Sequence, residues 1–365
     1  MLKFHATPIH FAAASAAFFM PAPAALAQSV ASIDGLEVTQ STQHYESNRH
    51  LSNASDYGPT NSLALIERKA VFVRAYVRGG TSAGVQLTGT LTIERQGAQG
   101  WEPVASVEAR APVTMVAQPD YRTVRGDMGR TLAFAIPATE VHGILRLTAR
   151  ARRVGQTTVA AERQVVLPRP LLRTLRVAAI TVGYNGPRPG SRDRIEAPPP
   201  TLQDVERTAG TTLAAFPVGA EAEFRIAGTI TQTEPLLTGQ IAPMFACPRT
   251  WSDLMRRVRR IRAADGPRPG WVYYGLLAAE LPFKSSTVGC GGGGVGTGKT
   301  DWDWTMAHEI GHAAGLPHIP GRNNRCTGDG ADSRYPRYRP YRRGSIGEYG
   351  VDIRTGAVHR PAGAH

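Results

Sequence analysis

Residues 306–318, MAHEIGHAAGLPH, place three histidines, a glutamate and a glycine at fixed intervals near the end of a 365-residue sequence. At 3.6 residues per turn, His308 and His312 fall one turn apart on the same helical face, so both imidazoles can reach one ion. Glu309 lies beside them, placed to address a metal-bound water rather than the metal. Asp301 or Asp303 stands where it can cap the helix start, and Gly315 followed by Pro317 should end it. The chain has to turn sharply at Gly315, with φ > 0, to swing His318 under the same ion. Three imidazoles with a fourth position open are the coordination of a catalytic zinc, whereas a structural site is closed. On this reading His308, His312 and His318 hold Zn2+ and Glu309 is the general base. The reaction is then peptide-bond hydrolysis without a covalent enzyme intermediate.

The eleven residues HEIGHAAGLPH resemble the signature H-E-x-x-H-x-x-G-x-x-H of the metzincin clan of zinc endopeptidases. The resemblance implies zinc on His308, His312 and His318, Glu309 as base, and a mixed sheet with helices around an active-site cleft. It extends from about Leu172 onward, and strictly over only those eleven residues. Within the clan the sequence looks most like bacterial secreted metalloproteinases, some of which cut mucin-type glycoproteins, so a protein or glycoprotein substrate is expected. One element of the clan has no match. A methionine turn should follow the third histidine, but the last methionine of the sequence is Met306. The pattern leads to the expectation that the catalytic domain is C-terminally incomplete, and the odd cysteine count points the same way.

Residues 1–27 carry Lys3, an apolar run and Ala25-Leu26-Ala27 before Gln28, which reads as a secretory signal. No stretch is long and apolar enough to predict a membrane span. The expected location is extracellular or periplasmic. The net charge of +13 invites a nucleic-acid reading, but only four of the 42 basic residues are lysine, and the arginines are scattered along the chain without a nucleic-acid fold signature. No nucleic-acid partner is expected. Cys247, Cys290 and Cys326 permit one disulfide in an exported chain, with the pairing open. Nothing in the sequence sets the oligomeric state.

Working back from the histidines, the length predicts two domains. Runs at 70–78, 85–94, 131–137 and 144–152 alternate apolar with polar or small residues between turn signals, which predicts an antiparallel β-sandwich over 28–170. No cluster of chemistry-bearing residues marks this part, so it reads as a positioning module. Two prolines in 167–172 mark a linker. Beyond it, strands are predicted at 175–184, 223–232 and 271–279 and helices at 201–216 and 251–264, a mixed α/β domain over 171–365. The fold class is thus multidomain, an N-terminal antiparallel β-sandwich followed by a mixed α/β, metzincin-like domain.

Two further stretches draw notice. GGVGTGKT, 293–300, satisfies the phosphate-loop pattern G-x-x-x-x-G-K-[ST], yet it follows a glycine run rather than a buried strand. It is read as a flexible segment at the cleft edge, able to pair with substrate. The arginine–tyrosine stretch 333–345 reads as a basic rim, and Tyr335, Tyr338, Tyr341 and Tyr349 are candidates for stabilising the transition state. An exported zinc-binding adhesin or inactive protease-like binding protein is the main alternative, and an exported amidase acting on peptidoglycan cross-links is a third.

Overall fold

The computed structural model describes residues 31–45, 59–237, 247–284, 287–318 and 348–361. The predicted signal segment, Cys326 and the stretch 333–345 lie outside them.

The first unit contains strands β1 (Ser32–Thr39), β2 (Val71–Arg78), β3 (Gln86–Gly97), β4 (Gly100–Glu108) and β5 (Val113–Thr114), helix α1 (Tyr121–Arg125), then β6 (Leu132–Ile136), β7 (Leu145–Arg153) and β8 (Val159–Leu167). One antiparallel sheet runs β1-β2-β6 and a second runs β4-β3-β7-β8, with β5 on the end of β3. Alternate residues of each sheet point inward. Val38, Val73 and Phe134 from the first meet Leu87, Leu91, Ile93 and Leu147 from the second in one buried cluster, the packing of two antiparallel sheets face to face.

Strand β2 does not alternate. Seven of its eight residues are buried, because its outer face is covered as well. Under that cover lies a group of charges that the sequence does not announce. Arg125 donates to Glu37 Oε1 at 2.8 Å and to Glu348 Oε2 at 2.5 Å, Arg74 stands 3.6 Å from Glu37 Oε2, and the Tyr76 hydroxyl donates to Glu37 at 2.5 Å. Arg74 also donates to the carbonyls of Arg125, Val124 and Asp127. All five side chains are buried. Burial alone would raise the Glu37 carboxyl, but Arg125 and Arg74 outweigh it and hold the group below the usual carboxylate range.

The second unit contains β9 (Leu175–Pro187), β10 (Arg194–Ala197), α2 (Leu202–Thr208), α3 (Gly210–Ala215), β11 (Ala222–Gln232), β12 (Leu236–Leu237), α4 (Arg249–Ala264), β13 (Trp271–Leu277), β14 (Phe283–Lys284), β15 (Gly289–Gly292), β16 (Val295–Lys299) and α5 (Asp303–Ala313). Strand β9 is central, paired in parallel with β11 on one side and β13 on the other; β16 is parallel to β13, β15 antiparallel to β16, and β10 antiparallel to the end of β9. Helix α4 packs on one face through Trp251, Leu254, Met255 and Val258. Val205 of α2, and Met306 and Ile310 of α5, pack on the other. Both faces are therefore covered, which is why β9 reads as a continuous apolar run. The predicted helix over 201–216 is two helices. The first begins with a reciprocal Thr201–Asp204 capping box and ends at Ala209, where α3 takes over.

The two units are fastened together. Leu171 bridges to Ile66, and Lys69 donates to the carbonyls of Leu213, Ala214 and Phe216 at 2.7, 2.9 and 2.5 Å, capping the C-terminal end of α3. A final hairpin, β17 (Gly350–Val351) and β18 (Val358–His359), lies against the first unit, where Thr42 bridges to Gly350. The division at residue 170 did not anticipate this return. Cys247, just before α4, is disulfide-bonded to Cys290 in β15. Among the described residues no helix is long and apolar enough to cross a membrane.

Candidate metal centre

Helix α5 turns Met306 and Ile310, one turn apart, into the core below the sheet, and the same periodicity leaves His308 and His312 on its open side. Neither predicted aspartate caps it. Trp302 occupies the cap position without a side-chain capping bond, Asp301 accepts from Arg207 with its backbone at φ 66°, and Asp303 accepts from Thr211 in the first turn, where a carboxylate still favours the helix dipole. The other end is as expected. Gly315 has φ 88°, its N–H donates to His312 O at 3.0 Å, and Leu316 N–H donates to Gly311 O at 2.9 Å. This pair of bonds closes the helix with a left-handed residue that favours glycine.

The turn delivers His318 to the other two imidazoles. His312 Nε2 lies 2.9 Å from His308 Nε2 and 3.0 Å from His318 Nε2, and the remaining edge of the triangle is 3.3 Å. His312 Nδ1 is 2.8 Å from Leu316 O, so that nitrogen carries the proton and Nε2 presents its lone pair inward. Burial, with the neighbouring imidazoles, pushes His308 down to about 4 and His318 below its ordinary value. Three lone pairs facing one point repel unless a cation lies between them. Zinc–imidazole bonds of about 2.0–2.1 Å at tetrahedral angles set nitrogens roughly 3.3 Å apart, close to the observed triangle. The donor set fits such an ion.

Glu309 is 4% exposed, and its Oε2 has no hydrogen-bond partner among the described residues. Burial pushes its carboxyl up to about 8. It is accommodated by a seam of glycines. Gly289 pairs with Gly298 and Gly291 with Gly296 across β15 and β16. A Cβ at Gly289 would stand 2.7 Å from Glu309 Cγ, one at Gly291 2.5 Å from Glu309 O, one at Gly296 3.1 Å from the same carbonyl, and one at Gly298 3.0 Å from Thr305 Cγ2. Helix and strands approach so closely only because these four positions lack side chains. The glycine run is therefore two ordered strands and not a flexible segment; β15 takes the edge position, and β16 is a buried interior strand. Lys299 ends β16 opposite Leu277, and its ammonium stands 5.9 Å from the Trp302 ring. The amides of 295–299 belong to the sheet ladder, so the phosphate-loop pattern is a coincidence of the seam. The alternate spacing of glycines at 289, 291, 296 and 298 was the available signal.

Of the tyrosine candidates, Tyr335, Tyr338 and Tyr341 lie outside the described residues. Tyr349 is buried, with the Arg125 guanidinium 5.4 Å from its ring centre, which gives it a place in the first unit's charge cluster.

A helix with two histidines one turn apart and a third returned by a tight turn bring together three imidazoles able to hold one metal ion, with a buried acid beside them. Residues 272–349 match the family model described as Peptidase M66, a family of zinc metallopeptidases, and this supports a metal-dependent peptidase. No curated protein matches the chain. Among solved structures, a calcium-binding mutant of Bacteroides uniformis β-glucuronidase 2 is 12% identical over 71% of this chain and 25% of its own, with a TM-score of 0.23. Bacteroides uniformis β-glucuronidase gives 12%, 69%, 29% and 0.24, and a Paenibacillus cycloisomaltooligosaccharide glucanotransferase gives 10%, 67%, 28% and 0.20. The chain spans under a third of each, and likeness at these scores carries no argument.

Proposed function

We propose that the protein is an exported, metzincin-like zinc endopeptidase, with His308, His312 and His318 as ligands and Glu309 as general base. The observation that carries this reading is the triangle of Nε2 atoms 2.9–3.3 Å on a side, with the buried Glu309, whose Oε2 has no hydrogen-bond partner among the described residues, next after its first member. A zinc ion held there supplies Lewis-acid polarisation of a scissile carbonyl and a water of lowered pKa. Glu309 accepts a proton at its carboxylate and returns it to the leaving amine. Edge strand β15, backed by the seam and paired on one side alone among the described residues, can offer its other side to an extended peptide. The helix face is open, with His308 exposed and Trp304 one turn earlier 65% exposed, so a polymer can reach the centre. The mixed sheet with helices on both faces supports the resemblance drawn from the sequence.

The test is cleavage of casein, gelatin and a glycosylated mucin by the zinc-loaded chain beside Glu309→Ala. Cleavage lost in the variant while zinc remains bound supports the assignment. An unchanged rate removes Glu309 as base, and zinc binding without any cleavage would favour the binding-protein reading.

A further inference from the structure

The hairpin at 350–359 is held at three points. At its base, Val351 N–H donates to Ser41 O at 2.6 Å, Thr42 Oγ1 donates to Tyr349 O at 3.2 Å, and Glu348 enters the charge cluster through Arg125. Along its side, a Cβ at Gly356, where φ is 77°, would stand 2.5 Å from the Arg110 guanidinium and 3.3 Å from the Phe72 ring of β2. Its turn then reaches the second unit. Arg354 Nη1 donates to Thr211 Oγ1 at 3.2 Å, and Thr211 Oγ1 donates to Asp303 Oδ2 at 3.3 Å. Asp303 is the first residue of α5, and Thr211 belongs to α3, which packs on α5 where Phe216 meets Gly311. Arg354 is kept in place by its own Asp352, which it contacts at 3.0 Å, and that pairing raises its affinity for its proton.

We propose that this hairpin is a strap by which the sandwich sets the position of α5, and that Arg354, acting through Thr211, is a positioning residue for the histidine triangle. The proposal rests on the metal-centre reading above. The hydroxyl of Thr211 is buried and can serve Arg354 and Asp303 together only in one rotamer. The guanidinium, by donating to that oxygen, turns its proton toward Asp303. Helix α5 lacks a side-chain capping bond, so this bond is a polar tie on its first turn, and the tie leads back to a cluster of buried charges in the other unit. The sandwich thereby becomes part of the catalytic framework.

The test compares Arg354→Ala, Arg354→Lys, Thr211→Val and the Arg354→Ala/Thr211→Val double variant in the full chain. The Arg354 side chain is 45% exposed, so its truncation leaves the core intact. Zinc affinity is read by competition with a chelating dye, the cobalt-substituted visible spectrum reports ligand geometry, and kcat and KM are measured on one peptide. Arg354→Ala should weaken zinc and lower kcat by roughly 10-fold, the scale of groups that orient metal ligands, while KM stays within about twofold. Arg354→Lys should recover most of the loss, and the double variant should be no worse than either single one. Unchanged zinc affinity and cobalt spectrum in Arg354→Ala overturn the strap, as does a loss that lysine does not recover and that follows the melting temperature. If the affinity and spectrum shift as expected but no variant nor the parent cleaves, the peptidase reading fails and the strap stands.

Discussion

Replacing Gly291 by alanine probes the contact on which the whole centre depends. The new Cβ would lie 2.5 Å from Glu309 O, 2.9 Å from Glu309 Oε2 and 2.9 Å from His312 Cβ. Ordinary packing places such atoms about 3.5 Å apart or more, so strand and helix must separate by the better part of an ångström. A carbonyl inside a helix cannot swing aside as a flexible side chain can. The cost therefore falls toward the upper part of the roughly 1–3 kcal/mol seen for overpacking. At about 2–4 °C per kcal/mol for a domain of this size, the melting temperature should fall by about 4–12 °C. Activity should suffer more than stability, because a displacement of about 1 Å at a reacting group can cost around 100-fold. Gly210→Ala is the matched control: nothing lies within 4 Å of the added carbon, and the position is helical, so stability should hold or rise by about 0.5–1 kcal/mol. The assay is thermal unfolding by circular dichroism together with peptide cleavage at saturating zinc. A Gly291→Ala protein that melts with the parent and cleaves at the parent rate would refute the glycine seam.

Three other outcomes are expected. Glu37→Gln leaves the buried Arg74 guanidinium without a carboxylate among the described residues and Arg125 with Glu348 as its one remaining carboxylate there, and should cost about 3–5 kcal/mol. Because the Glu37 pKa is depressed in the folded state, its contribution is complete above the unfolded value of about 4.3 and is lost as the pH falls below it; a melting temperature measured from pH 6 down to 3 should decline less steeply in the variant, and identical slopes would count against the pairing. Lys69→Met takes the ammonium donor from the Leu213 and Ala214 carbonyls at the end of α3, while Phe216 O keeps the Val218 N–H, and at about 1 kcal/mol or more for each of the two the chain should lose several degrees, read by calorimetry; no loss would mean that the units are not fastened there. Removing metal with a chelator should lower the melting temperature of the parent, since zinc at 100 times its Kd stabilises by about 2.7 kcal/mol, and should leave His312→Ala unmoved, whereas an equal response of both proteins would place the ion elsewhere.

The histidine pattern and Gly315 were legible because their geometry is local: helical period and one left-handed residue bring 308, 312 and 318 together without help from the rest of the chain. Strand β9 was legible from its apolar run and α4 from its one-sided periodicity. Long-range cover was not. The alternation of β2 promised a solvent face, but the hairpin and α1 lie over it and turn Arg74 and Tyr76 inward, and no local signal in 71–78 foretells a partner at residue 348. The segment 293–300 was misread as flexible, because low side-chain content fits either a loose loop or a close approach. Only the facing helix decides between them. The aspartates near α5 failed as caps for a similar reason, since Arg207 and Thr211 compete for their carboxylates.

The Cys247–Cys290 bond joins the approach to α4 to the outermost strand of the sheet, the strand that borders Glu309. Disulfides persist in oxidising surroundings and are removed in the reducing interior of a cell. The border of the centre is therefore pinned only after the chain has met an oxidant. A protein made in the cytosol would carry its histidines and its base beside an untethered strand, and material prepared there and material recovered from an oxidising compartment should be compared as two chemical forms before their rates are.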